Sequence, residues 1–156
     1  MDTIGASKPD ISSKPPVLVI CGPTGIGKSM AALFAAVKAM SQAGIDRVFY
    51  LTARTTGKEA AKQALTEMRG GGLRLKSVTL TAKERICFQQ QVDCTPEGCP
   101  FAKGHFDRVN DAVAELFGRD GWTRPAVEAV ATAHRVCPFE LSLDLCLWAE
   151  CIVCDF

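Results

Sequence analysis

Two features of this 156-residue sequence predict an α/β fold with a parallel β-sheet. Short runs rich in β-branched residues alternate with longer segments of helical periodicity, and strands connected through helices form right-handed parallel units. A glycine-rich turn separates the first run, residues 17–21, from the first helical segment, residues 29–43. Because 47% of the residues are hydrophobic, the chain is long enough for one domain with its own core.

The remaining elements follow in the same alternation. The further predicted strands are RVFYLTA, LRLKSVTLT and CIVCDF, and the further predicted helices are GKEAAKQALTEM, HFDRVNDAVAELFG, RPAVEAVATAHRV and CPFELSLDLCLWAE. In the last helix the spacing places Phe139, Leu143 and Leu147 on one face. Residues 1–16 are polar and contain three prolines, which predicts a flexible leader.

Composition narrows the classes of function. With 18 Lys and Arg against 17 Asp and Glu the formal charge is +1, so a nucleic acid would have to be held by a local basic patch. No apolar stretch approaches the roughly 18 residues of a membrane span, and the polar start is unlike a signal peptide. We therefore expect a cytoplasmic protein without a membrane partner, in which the eight cysteines bind metal or pack in the core instead of forming disulfides.

The glycine-rich turn matches the pattern G-x-x-x-x-G-K-S/T, which is typical of a phosphate-binding loop. Its glycines let successive N–H groups face a phosphate, the lysine adds a positive charge toward the β and γ phosphates, and the serine hydroxyl can bind Mg²⁺. We expect ATP or a similar nucleotide here; the alternative is a glycine-rich turn with an incidental lysine. The predicted nucleotide-binding residues are Gly22, Pro23, Thr24, Gly25, Ile26, Gly27, Lys28 and Ser29.

Four cysteines fall in a loop-rich region that interrupts the alternation. Cys87, Cys94, Cys99 and Cys137 are separated by six, four and 37 residues, without the paired C-x₂-C knuckles of a zinc ribbon. Four thiolates in irregular loops suit a [4Fe–4S] cluster, because its larger cage tolerates wider spacing. The spacing by itself does not decide between iron and zinc.

The other cysteines and the two histidines favour simpler interpretations. Cys146 belongs to a helix with an apolar stripe, and the odd spacing of Cys151 and Cys154 on a strand points them to opposite faces, so all three are expected in the core. His105 and His134 are expected as solvated residues on polar helix faces.

The sequence resembles the iron–sulfur DNA helicases of superfamily 2, the XPD/DinG-like family, and particularly its bacterial DinG-like members. The resemblance covers residues 17–156: PTGIGKS matches the Walker A motif, FYLTARTT the next helicase motif, TAKERIC the entry to the cluster domain, and HRVCPFELSLDLCLWAECIVCDF the stretch after it.

The resemblance implies a RecA-like P-loop NTPase sheet formed by residues 17–86 and 138–156, interrupted by a mostly helical iron–sulfur insertion at residues 87–137. It implies a [4Fe–4S] cluster bound by the four cysteines of the insertion, ATP with Mg²⁺ as cofactors, and single-stranded DNA or a duplex junction as partner. The implied activity is ATP-dependent 5′–3′ helicase action. The implied DNA contacts are Arg54, Thr55 and Thr56, joined by Lys83 and Arg85, which would also support the anionic cluster.

The sequence also departs from this family. It contains no D-E-A-H box, no second RecA-like domain with arginine fingers, and no glutamine-bearing motif before the glycine loop. We therefore expect an incomplete motor that needs a further C-terminal portion, and no hydrolysis by this chain alone. The alternatives are a non-catalytic module that binds nucleotide and a metal cluster, and a small P-loop kinase with a zinc-binding lid.

Overall fold

The four described strands form a parallel sheet, as the strand–helix alternation predicts. The computed structural model describes residue 21 and residues 27–155; the predicted first strand at residues 17–21 lies almost wholly outside them, as do residues 1–16. The described strands are β1 (Val48–Leu51), β2 (Ser77–Thr79), β3 (Gly121–Trp122) and β4 (Cys151–Cys154), in the spatial order β1-β4-β2-β3. The last strand of the chain therefore lies inside the sheet, between β1 and β2.

Six helices are described, and each predicted helix is among them. Their bounds are α1 (Lys28–Ala43), α2 (Thr55–Gly70), α3 (Lys83–Ile86), α4 (His105–Phe117), α5 (Arg124–His134) and α6 (Pro138–Cys146). Gly44 caps the C-terminal end of α1, and its φ of 64° is a left-handed conformation that glycine adopts without strain. Helices α5 and α6 carry proline in their first two positions, where a missing N–H costs no helical hydrogen bond.

Each face of the sheet carries its own apolar core. Helices α1 and α2 cover one face, where Leu33 and Leu65 pack with Val153 of β4. Helices α4, α5 and α6 cover the other face, where Trp122 packs with Ile152 of β4. Alternate residues of β4 thus enter different cores, which is the period of two expected for a strand buried on both sides.

Strand β3 was not predicted, and it ties the cysteine-containing region to the sheet. It has only two residues, too few for a periodic pattern, and it pairs with β2. Arg69 of α2 fixes this edge, since its Nη2 donates to the Leu75 carbonyl at 3.0 Å, the Ser77 hydroxyl at 2.6 Å and the Asp120 carbonyl at 2.7 Å. Burial lowers the pKa of Arg69, against an opposing effect of Asp120. The boundaries of the insertion at residues 87–137 stay a prediction.

Helix α6 confirms the predicted helical periodicity, but a different row of side chains faces the core. Leu141 and Leu145 are fully buried, whereas Leu143 is 38% and Leu147 is 69% exposed. Both rows repeat every four residues and both are apolar, so periodicity cannot choose between them. Among the described residues, no helix combines the length and the apolar character needed to cross a membrane.

Candidate functional site

The start of α1 carries the described part of the predicted phosphate loop. Gly27 precedes the helix with a left-handed φ of 80°, and Lys28 and Ser29 are its first two residues. The Ser29 hydroxyl lies 3.2 Å from the Tyr50 hydroxyl, which joins the start of α1 to β1. The other predicted nucleotide-binding residues lie outside the described part of the chain: Gly22, Pro23, Thr24, Gly25 and Ile26.

A cavity of about 560 Å³ opens between the start of α1 and one side of α2. Gly27, Lys28 and Ser29 line its α1 side. The N-terminus of a helix presents unpaired N–H groups and the positive end of the helix dipole, so it favours an anion. The cavity can thus take an anionic group at its α1 end. The lining residues from α2 include Thr56, Gly57, Gln63 and Glu67.

The start of α2 carries the first predicted group of DNA contacts. Arg54, Thr55 and Thr56 are all exposed, directly after the carboxyl end of β1. A local hydrogen bond stabilises the connection between β1 and α2, because the Arg54 N–H donates to the Thr52 hydroxyl at 3.3 Å. A Cβ on Gly57 would collide with the Thr52 side chain, so this glycine permits the close turn into α2. The three exposed residues are therefore the N-cap and the first two residues of α2.

Lys58 joins three segments at the carboxyl edge of the sheet. Its Nζ donates to the Leu80 carbonyl at 2.9 Å and lies 2.7 Å from Asp155 Oδ2. Leu80 follows β2 and Asp155 follows β4. The loop at the start of α2 and the segment leading to α3 consequently share one edge of the sheet.

Two of the four candidate metal ligands, Cys87 and Cys137, flank the junction between α3 and α6. Cys87 directly follows α3 and Cys137 directly precedes α6, and these two helices pack against each other. Cys94 is exposed in the connecting loop, and its thiol contacts Lys83, the first residue of α3. Cys99 is buried, and it is among the groups that raise the pKa of Cys137, after burial itself.

The side chain of Lys83 lies between the Cys94 loop and α6. Its Nζ lies 3.5 Å from Cys94 Sγ, 3.5 Å from Glu140 Oε1 and 4.9 Å from the centre of the Phe139 ring. Partial burial acts against the charged form, but the contacts with Cys94 and Glu140 outweigh it and raise the pKa of Lys83. Arg85, the other basic residue of this segment, is exposed. The two predicted DNA contacts on α3 therefore differ. Lys83 contacts a thiol and a carboxylate, whereas Arg85 is exposed and has no such partner among the described interactions.

The surroundings of the candidate thiols act on the thiolate form in opposite directions. Burial raises the pKa of Cys137, and the nearby Glu140 and Cys99 act in the same direction, while the N–H groups of Glu140 and Phe139 oppose them. Lys83 supplies positive charge beside Cys94. Within residues 27–155, no three His, Cys, Asp or Glu side chains converge closely enough to hold one metal ion. The structure therefore does not bring three of the four candidate thiols together at one point.

His105 is buried, which contradicts its expected position on a solvated helix face. It was expected on a polar face but is only 3% exposed. Its Nδ1 accepts a hydrogen bond from the Cys137 backbone N–H at 3.2 Å. The spacing already contained the signal, because Val109, Ala112 and Leu116 follow it at helical intervals and are also buried. His134 is partly exposed and lies 2.8 Å from Glu115 Oε2, in agreement with a surface position.

The remaining cysteines behave as core residues, as predicted. Cys151 packs with the α1–α2 core and Cys154 with the opposite core, which confirms that they point to different faces. Burial raises the pKa of Cys146 and of Cys151 to about 11 and raises that of Cys154 as well. These thiols stay neutral near pH 7, so they act as small apolar side chains. At the end of the predicted first strand, Cys21 would be expected to pack as a small apolar side chain, but it is exposed in the described structure, so this expectation is wrong.

Comparison with known proteins adds no identification. The sequence matches none of the protein-family models and none of the curated proteins with which it was compared.

Proposed function

We propose that this chain is the nucleotide-binding and iron–sulfur portion of an ATP-dependent DNA helicase of the XPD/DinG-like family. One observation supports the proposal: a parallel α/β fold has a G-K-S helix start over one face of its sheet, while Cys87 and Cys137 flank two packed helices, α3 and α6, elsewhere in the fold. The P-loop NTPase interpretation of the fold is part of the proposal and rests on the sequence motif at that helix start.

The nucleotide would be held at the start of α1. The backbone of Gly27 and the first turn of α1 present N–H groups to a phosphate, and Lys28 adds positive charge there. Ser29 is near enough to Tyr50 to be oriented by it, with its hydroxyl available to Mg²⁺. ATP with Mg²⁺ supplies the phosphoryl group whose hydrolysis drives a motor of this family.

DNA would be held at the carboxyl edge of the sheet. Arg54, Thr55 and Thr56 are exposed there, and their side chains are of the types that bind phosphate oxygens without reading bases. Arg85 extends this surface from α3. Lys58 links the two segments through Leu80 and Asp155, so both would move as one unit.

The cluster would be held by Cys87, Cys94, Cys99 and Cys137. A [4Fe–4S] cluster supplies a rigid, redox-active centre that fixes the loops around it. Lys83 offsets the negative charge of the thiolates, and the first turn of α6 directs N–H groups toward Cys137.

A second function, binding without turnover, is favoured by one feature of the sequence. Hydrolysis in this class needs a carboxylate that holds Mg²⁺ and positions water, and the chain contains no D-E-A-H box. This chain would then bind nucleotide and single-stranded DNA, while turnover would need residues that it does not supply.

Nucleotide binding tests the first part of the proposal. We expect Lys28→Ala to weaken the binding of a fluorescent ATP analogue at least tenfold, measured by anisotropy with Mg²⁺ present. Lys38→Ala, which removes an exposed lysine from the same helix, is the matched control and should bind as the wild type does. Equal affinity of all three proteins would show that the glycine loop is only a turn.

A further inference from the structure

The Cys137 backbone is held by a buried imidazole from the neighbouring helix. His105 begins α4, is 3% exposed, and accepts the Cys137 N–H on Nδ1 at 3.2 Å. Its Nε2 is buried without a hydrogen-bond partner among the described residues, and Asp144 Oδ2 lies 3.7 Å away.

The hydrogen bond to Nδ1 indicates which nitrogen of a neutral His105 ring carries the proton. Because Nδ1 accepts a hydrogen bond, a neutral ring carries its proton on Nε2, the nitrogen nearest Asp144 of α6. Burying a polar ring with one nitrogen unpaired is unfavourable, and a leucine would fill the same space without that cost. What His105 provides and a leucine would not is therefore the acceptor at Nδ1 for the Cys137 N–H.

A second residue of α4 holds the same connection. Arg108, one turn after His105, donates from Nε to the His134 carbonyl at 3.1 Å and from Nη2 to the Arg135 carbonyl at 2.7 Å. Arg135 has a left-handed φ of 53°, a conformation that needs support in a residue with a side chain. The path from α5 to Cys137 is thus fixed by α4 at two points.

We propose that His105 is a positioning residue for Cys137: its Nδ1 fixes the Cys137 backbone at the start of α6 and so aims the thiol at the group that the cysteines bind. The proposal rests on the proposed function in one respect, since it takes Cys137 to be a ligand. The fixing of the backbone, in contrast, is a property of the metal-free chain and can be measured without metal.

Two substitutions of His105 separate the effect of its hydrogen-bond acceptor from the effect of the space that its side chain fills. His105→Asn can place its side-chain oxygen where Nδ1 lies, whereas His105→Leu fills the space without an acceptor. His134→Leu removes the other histidine of the same region and is the control. The first readout is amide hydrogen exchange of Cys137 in the metal-free protein, followed by NMR with ¹⁵N-labelled cysteine, with Cys151 of β4 as the internal reference.

We expect His105→Leu to speed exchange at Cys137 about fivefold, the typical worth of one hydrogen bond, while Cys151 is unchanged. His105→Asn and His134→Leu should stay within about twofold of the wild type. Equal exchange in the wild type and His105→Leu would overturn the proposal. Equal acceleration in the leucine and asparagine variants, or a parallel acceleration at Cys151, would overturn it as well, since either would indicate general loosening.

The second readout is iron per chain after anaerobic reconstitution. We expect His105→Leu to retain less iron than the wild type and His105→Asn to restore most of the difference. If the wild type binds no iron, the cluster proposal fails and Cys137 is no ligand, while the exchange data still decide whether His105 fixes its backbone. If His105→Leu keeps full iron, the aiming role is wrong even where the backbone role holds.

Discussion

Lys83 Nζ lies 3.5 Å from Cys94 Sγ, which brings the first residue of α3 against a thiol eleven positions later in the chain. The same ammonium group lies 3.5 Å from Glu140 of α6. One cation therefore connects a loop cysteine to both helices of the junction. A positive charge at this place stabilises thiolates, and it is the charge that an anionic cluster would require.

The first prediction concerns this charge. Lys83→Met keeps the length of the side chain and removes the ammonium group, so the reconstituted protein should lose iron to a chelator several-fold faster than the wild type. Lys103→Met, at an exposed position of the same loop region, should lose iron at the wild-type rate. The time course of absorbance near 400 nm after adding chelator measures both rates. Identical rates in the two variants would show that Lys83 does not support the cluster.

The second prediction concerns Arg69. Arg69→Met leaves the Ser77 hydroxyl and the carbonyls of Leu75 and Asp120 without their donor, so the free energy of unfolding should fall by about 2–4 kcal/mol. Arg74→Met removes an arginine whose side chain is 87% exposed and should change it by less than about 0.5 kcal/mol. Urea denaturation followed by circular dichroism measures both. A similar small change in the two variants would mean that Arg69 does not fix the β2–β3 edge.

The third prediction concerns the core thiols. Because burial raises the pKa of Cys146 and Cys151 from 9.0 to about 11, their alkylation at pH 8 should be about a hundredfold slower in the folded protein than in urea. Mass spectrometry of the alkylated peptides gives the rate at each cysteine. Equal rates in the folded and unfolded protein would contradict the burial of these thiols.

The same two groups set a pH dependence of stability. Below pH 9 the folded and unfolded states both keep the protons, so the stability associated with neutral burial is fully present. As the pH rises from about 9 to about 11, the unfolded state gives up its protons first, and the free energy of unfolding falls. Urea titrations across this range should show the decline; a Cys151→Ala variant should show less of it.

The fourth prediction concerns DNA. Arg54→Ala should weaken the binding of single-stranded DNA similarly for all sequences, and should reduce the slope of log K against log salt by about 0.7. Arg74→Ala is the control, because Arg74 precedes β2 and so lies at the opposite edge of the sheet. Fluorescence anisotropy with two unrelated oligonucleotides at several salt concentrations tests this. Equal salt slopes for the two variants would exclude Arg54 as a phosphate contact.

Long periodic segments made most of this fold predictable. Helices α1, α2, α4 and α5 and the strands β1, β2 and β4 follow from alternation and period, because burial of one helix stripe or of a β-branched run leaves a clear pattern. Strand β3 has two residues and leaves none. The side of α6 that is buried depended on tertiary packing, since Leu141 and Leu143 begin equally apolar rows.

The candidate site was predictable in its residue types and less so in its geometry. The spacing of cysteines identified the ligand candidates, yet only the packing of α3 on α6 shows that Cys87 and Cys137 share a junction. The inward turn of Lys83 depends on Cys94 and Glu140, which are distant in sequence. The burial of His105 could have been recognised from its spacing to Val109.

Iron content tests the central claim most directly. Anaerobically purified protein should be brown, absorb broadly near 400 nm and contain about four irons per chain. Replacing a proposed ligand by serine should remove most of the iron, whereas replacing a core cysteine should keep the iron and cost about 1–3 kcal/mol of stability. The first set is Cys87, Cys94, Cys99 and Cys137, and the second is Cys146, Cys151 and Cys154. Stoichiometric zinc without iron in the wild type, or iron loss confined to the second set, would contradict the account.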